Sequence, residues 1–148
     1  MRRLWWMVPV ALCALAAGCG RREAKPPAGV GAKIAWITDP GAAFAQAKTT
    51  GKLVMMDLWQ AGCKSCDHLD AQVWARPEVA KMSKQFVAAK VSSEKYKDLP
   101  PKYSVSGYPT TLFLTAEGKE VMRVRGAPLP EDMIAAMRLA LRKAPSAK

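Results

Sequence analysis

Apolar and polar residues along this chain change period several times, and each change marks an element. Leu53 to Trp59 (LVMMDLW) is a near-continuous apolar run of strand length, the pattern of a strand buried on both faces, and Asp57 is the one residue that interrupts it. Phe86 to Val91 (FVAAKV) and Thr110 to Thr115 (TTLFLT) read as further strands. Glu120 to Arg125 (EVMRVR) alternates apolar and polar residues, and the turn Ala116-Glu117-Gly118-Lys119 joins it to the strand before it as a hairpin. Helical periods fill the gaps. Asp39-Pro40 is a helix start, with Asp39 as N-cap and Pro40 at the first helical position, and Gly51 is its stop. Leu69, Val73 and Trp74 recur at helical spacing, which predicts a helix from about Cys63 to Ala75. A second, short helix is expected from Pro77 to Lys84, and polar loop with short helix from Ser92 to Tyr103. Pro130 opens a last helix whose Met133, Ile134, Met137 and Leu141 line one face, a core stripe. Ile34 to Ile37 reads as a short first strand.

The order is strand, helix, strand, helix, strand, helix, hairpin, helix. Strands alternating with helices predict an α/β domain: a central mixed sheet, part of it parallel, with helices on both faces and an antiparallel edge from the hairpin. At 148 residues the chain suits one domain, expected to span residues 34–143 with a short tail at 144–148.

The start of the chain follows other rules. Arg2 and Arg3 precede an apolar run, Leu4 to Ala17, that ends in small residues, the layout of a secretory signal peptide over residues 1–18. Fourteen residues at helical rise reach roughly 21 Å, short of a bilayer core of about 30 Å, which disfavours a permanent transmembrane helix. Leu15-Ala16-Ala17-Gly18-Cys19 resembles the bacterial lipobox, with Ala16 where Leu is usual. That resemblance implies that Cys19 becomes a lipidated N-terminus, a membrane anchor through its acyl chains. Gly20 follows it where an aspartate often marks inner-membrane retention, a lean towards the outer membrane. Gly20 to Lys33 is rich in Gly, Pro, Ala and charge and reads as a tether, so that residues 19–33 hold the domain off the headgroups by roughly 20 Å.

Composition is that of a soluble globular chain, half hydrophobic and 24% charged. The net charge of +11 is dispersed, with no compact basic run and no aromatic-basic motif, and nucleic acid is not expected as a partner. Cysteine usage is more telling. Of four cysteines, Cys13 is lost with the signal and Cys19 is committed to lipid, which leaves Cys63 and Cys66. In an exported domain these two bridge each other, react with a partner, or bind metal. A structural zinc site needs four ligands, and one histidine and no second cysteine pair remain.

Cys63-Lys64-Ser65-Cys66 follows the buried strand and opens a helix. First-turn N–H groups and the helix dipole favour a thiolate at Cys63, the species that attacks disulfides. Lys64 adds positive charge beside it. His68, about 200° around the helix from Cys66, is expected to face solvent.

Four further features are similar to the thioredoxin superfamily: Asp57 six residues before Cys63, Trp59 four before it, Lys90, and Gly107-Tyr108-Pro109-Thr110. The likeness covers about residues 34–143. The resemblance implies a thioredoxin-like fold and a thiol–disulfide oxidoreductase needing no bound cofactor beyond its own Cys63–Cys66 disulfide. It implies that Cys63 attacks, Cys66 resolves and Asp57 exchanges a proton with Cys66, with Lys90 close to that acid. It also implies that Tyr108, cis Pro109 and Thr110, with Trp59, frame the substrate groove. Trp36, Gly51-Lys52 and Arg76-Pro77-Glu78-Val79 resemble one branch in particular, the periplasmic C-terminal domain of thiol:disulfide interchange proteins and related exported proteins. Gly62 departs from the family, standing where a tryptophan usually precedes the first cysteine. The branch implies a reductant or isomerase in the periplasm-facing envelope, acting on disulfides of exported proteins and supplied by a membrane-embedded thiol donor. Two other readings remain: a copper-handling module using Cys63, Cys66 and a methionine, and a thioredoxin-fold scaffold whose pair is inactive. Asp57, inside an apolar strand, is expected to titrate above the usual value of about 3.9.

Overall fold

The computed structural model describes residues 33–144. The signal region, Cys19, the tether up to residue 32 and the last four residues lie outside the described residues.

Helix α1 (Pro40–Thr50) begins as its sequence predicts. The Asp39 carboxylate accepts the Ala42 N–H at 2.7 Å, and its other oxygen accepts the Tyr96 hydroxyl at 2.9 Å. The helix ends at Gly51, whose left-handed backbone (φ 67°) lets its N–H return to the Ala47 carbonyl. Strand β1 (Val54–Trp59) follows, then α2 (Lys64–Leu69), a π-helical turn (Asp70–Trp74), α3 (Pro77–Ser83), β2 (Val87–Ser92), α4 (Leu99–Lys102), β3 (Thr110–Leu114), β4 (Glu120–Arg125) and α5 (Pro130–Lys143).

The four strands form one mixed sheet in the order β2-β1-β3-β4. β1 runs parallel to β2 and antiparallel to β3, and β3 runs antiparallel to β4. β1 is therefore central and, apart from Trp59 at its end, wholly buried, which is why its sequence is apolar rather than alternating. Side chains of Val54, Met56 and Leu58 enter one core, with Ala43 and Ala47 of α1 and Leu99 and Tyr103 at α4. Met55 enters the other, with Leu69, Val73, Trp74, Val79, Phe113, Met133 and Met137. Helices thus cover both faces, and the family fold expected from the sequence is the fold observed.

Register places one row of side chains across the second face. Lys90 pairs with Asp57, Asp57 with Thr111, and Thr111 with Val124. Because side chains on adjacent strands in register share a face, the interrupting carboxylate of β1 lies beneath α2 and the π turn.

Two expectations are corrected. Ile34 to Ile37 is not a strand: it contributes a single bridge, Ile37 to Ala89. The Trp36 N–H turns back to the Ile34 carbonyl at 3.1 Å, and Asp39 begins the helix cap two residues after Ile37, so there is no length for a ladder. Nor is Cys63 to Ala75 one α-helix. The Ala75 N–H reaches the Asp70 carbonyl five residues back, a widened turn that buries Val73 and Trp74 together while Asp70 stays half-buried.

Candidate active site

The strand-to-helix junction after β1 builds the site. Gly62 has a left-handed backbone (φ 71°), with open space where a Cβ would stand. Any side chain there would strain the backbone, which gives a local reason for the departure from the family pattern. Cys63 is the N-cap of α2, and its sulfur accepts the Cys66 N–H at 3.2 Å. Cys63 and Cys66 are joined as a disulfide with Cα atoms 5.2 Å apart. Their surroundings differ: Cys63 is half-buried, whereas Cys66 is 5% exposed. Lys64 is exposed in the first turn of α2, and His68 is exposed, as expected.

Tyr108-Pro109 is a cis peptide. The Ser65 hydroxyl, 3.4 Å from the Cys63 sulfur, donates to the Tyr108 carbonyl at 3.2 Å and ties this loop to the cysteine pair. On the other side the Pro109 carbonyl accepts the Gly126 N–H at 2.8 Å. Thr110 is buried, its hydroxyl donating to the Gly107 carbonyl at 2.7 Å. Trp59 is placed otherwise. It is half-buried at the end of β1 and lines a small cleft of about 180 Å³ with Trp36, Thr38, Lys90 and Tyr96.

Asp57 is 1% exposed. Its Oδ2 accepts the Trp74 indole N–H at 3.2 Å and lies 3.8 Å from the Lys90 ammonium. Lys90 is ion-paired to Asp70 and lies 5.9 Å from the centre of the Trp36 ring. Burial pushes the Asp57 carboxyl up to about 6; Lys90 and the Trp74 hydrogen bond oppose that shift, and Asp70 adds to it. Desolvation wins because the compensating cation is shared with a second carboxylate.

The sequence-predicted residues thus form two groups. Cys63, Cys66, Lys64 and the loop of Tyr108, Pro109 and Thr110 meet at the start of α2. Asp57 and Lys90 meet beneath the π turn. Sequence reasoning missed Ser65, Asp70 and Trp74 as members of these groups. Trp74 was legible as a core residue, but its indole N–H on Asp57 depends on the π turn. Asp70 sits on an exposed-looking helical position with no sequence signal of its own.

Among the described residues no cluster of three or more His, Cys, Asp and Glu side chains is placed to hold a metal ion. Met55, Met56, Met133 and Met137 are fully buried in the two cores, and Met82 and Met122 are partly buried against the second.

The family model described as a thioredoxin-like domain matches residues 40–141. The chain belongs to this thioredoxin-like family. It is 33% identical over 93 residues to a thiol:disulfide interchange protein DsbD from Cronobacter sakazakii, covering 60% of this chain and 16% of that relative. The chain therefore spans about a sixth of that relative's length. A thioredoxin from Thermus thermophilus superposes with a TM-score of 0.68 at 26% identity, over 75% of this chain and 89% of the other. The oxidised C-terminal domain of DsbD from Neisseria meningitidis shares the fold, with a TM-score of 0.60 at 18% identity over 70% and 97% of the two chains.

The raised Asp57 carboxyl has a consequence for stability. In the unfolded chain it ionises near 4, in the folded chain near 6. Between those values the folded state binds more protons, so stability falls as pH rises through this window, by on the order of 3 kcal/mol for this group. Urea unfolding of the oxidised protein at pH 4 and pH 7 is expected to show this loss in the wild type relative to Asp57→Asn. Parallel pH profiles of the two proteins would show that Asp57 ionises at its ordinary value.

Proposed function

We propose that this protein is a thiol–disulfide oxidoreductase of the cell envelope, a reductant or isomerase for disulfides of exported proteins. The observation that carries the reading is the asymmetry of the pair: Cys63 is accessible and N-capping, Cys66 is shielded behind it.

In the reduced form the Cys66 N–H and the first turn of α2 stabilise the Cys63 thiolate. That thiolate attacks a substrate disulfide, forms a mixed disulfide and releases one substrate thiolate. Cys66 then loses its proton to Asp57 and attacks the Cys63 sulfur. The Cys63–Cys66 disulfide forms, the second substrate thiolate leaves, and two electrons have passed to the substrate. Asp57 returns its proton to a leaving thiolate or to solvent. The loop of Tyr108, cis Pro109 and Thr110, beside the pair through Ser65, supplies backbone for an extended substrate segment. Lys64 contributes charge near the thiolate and Lys90 modulates Asp57, while Trp59, which lines the separate cleft with Trp36 and Lys90, is given no part in the groove. No cofactor enters the cycle.

Export is supported by residues 1–19, and the envelope location by the likeness to thiol:disulfide interchange proteins. Among the described residues no helix is long and apolar enough to cross a membrane; the attachment we propose is the acylated Cys19, with the outer membrane favoured. A membrane-embedded thiol protein is the electron donor this reading implies.

The protein is expected to accelerate reduction of insulin by dithiothreitol, and Cys63→Ala to return the rate to the uncatalysed one. Cys66→Ala is expected to accumulate mixed disulfides that Cys63→Ala does not. Trapping by Cys63→Ala alone would reverse the two roles. For the anchor, a fatty-acid probe fed to expressing cells is expected to label the wild type and not Cys19→Ser. Equal labelling of both would remove the lipid from the account.

A further inference from the structure

Two buried side-chain oxygens among the described residues have no hydrogen-bond partner: Asp57 Oδ1 and Thr111 Oγ1. They are not scattered. Asp57 and Thr111 are directly opposed in the β1–β3 ladder, on the same face, 1% and 0% exposed. Opposed residues in such a ladder have Cβ atoms about 4.5–5.5 Å apart; the two oxygens make no direct hydrogen bond as placed, and a turn of the Thr111 side chain or one bridging water would join them. A buried hydroxyl or carboxyl left without a partner costs on the order of 1–3 kcal/mol, so two orphans facing each other call for a common explanation.

The other carboxyl oxygen shows what that explanation is. Asp57 Oδ2 faces the Trp74 indole N–H and the Lys90 ammonium. Neither group accepts a hydrogen bond, so a proton on Oδ2 would point at donors. The proton that Asp57 gains therefore resides on Oδ1, on the Thr111 side. A hydroxyl is the group suited to that place, because it both donates and accepts. Valine or isoleucine, the usual fillers of a buried strand, would leave Oδ1 orphaned in both states.

We propose that Thr111 is the positioning residue for the Asp57 proton: its hydroxyl donates to Oδ1 when Asp57 is ionised and accepts from Oδ1 when Asp57 is protonated, directly or through one water. This rests on the proton-exchange role given to Asp57 above and adds the atom that carries the proton and the group that holds it. The polar and charged groups set against Asp57 are Lys90 from β2, Asp70 and Trp74 from the π turn and Thr111 from β3, with the apolar Met133 and Met137 of α5 in the same core. Thr111 is the uncharged member of this set that serves both states of the acid.

The test is the titration of the Asp57 carboxyl carbon by NMR in the oxidised protein, without substrate, so that its failure would leave disulfide exchange untouched. A hydrogen bond to a charged acceptor is stronger than one to a neutral partner. Thr111→Val is therefore expected to raise the Asp57 midpoint by about one pH unit, a tenfold gain in proton affinity. Thr111→Ser is expected to hold it near the wild-type value. An Asp57 midpoint unchanged in Thr111→Val would overturn the proposal and leave Thr111 as a strand residue alone. A wild-type measurement stands independently of how the variants fold. The Thr111 hydroxyl proton is expected to exchange slowly and to shift in step with Asp57, and a hydroxyl whose shift is flat across that titration would equally overturn it.

Discussion

The burial of one carboxyl group in the central strand is the constraint on which the rest of this site depends. Asp57 sits where a strand packed on both faces would ordinarily carry an apolar residue, and an unpaired charge there is costly. The surroundings meet that cost in part. One oxygen has an indole N–H and, at a longer distance, an ammonium; the ammonium is shared with Asp70; the other oxygen has no hydrogen-bond partner. The acid is left poised near neutrality rather than locked in either state, which is the condition for a group that takes and returns a proton.

Several structural choices make sense only around that acid. The π turn after α2 turns Trp74 inward and puts Asp70 against Lys90, so the helix that carries the cysteines also carries the groups that set the proton affinity of Asp57. Register does the same from the sheet, bringing Lys90 on one side and Thr111 on the other. The cysteine pair and the cis-proline loop form a second unit at the surface, joined through Ser65. The cysteine pair thus lies towards the surface while Asp57 is enclosed, and Cys66 is the buried member of the pair.

Most of this was legible in the sequence for identifiable reasons. The apolar run around Asp57, the Asp39-Pro40 helix start, the hairpin and the Met133–Met137 stripe are local patterns, and each became the element expected. Cys63 and Cys66 stood out by cysteine count and by their place at a helix start, and Asp57 and Pro109 by the resemblance to the thioredoxin superfamily. Ile34 to Ile37 failed because four apolar residues say strand whether or not a ladder has room to form. The π turn was invisible because nothing in Asp70 to Trp74, such as a proline or glycine, marks an extra residue in the turn. Trp74, Asp70, Ser65 and Thr111 were missed as site residues for one shared reason: the contacts that bring them to the site run between elements, and residue type alone does not show them.

The central claim is that proton binding at Asp57 is coupled to the redox state of Cys63 and Cys66. The most direct measurement is the reduction potential of the pair against glutathione from pH 4 to pH 8, in the wild type and in Asp57→Asn. If reduction changes the proton affinity of Asp57, the wild-type curve bends near pH 6, where the acid titrates, and the bend is missing from the variant. Two curves of the same shape across the whole range would mean that Asp57 does not sense the sulfurs, and would contradict the account.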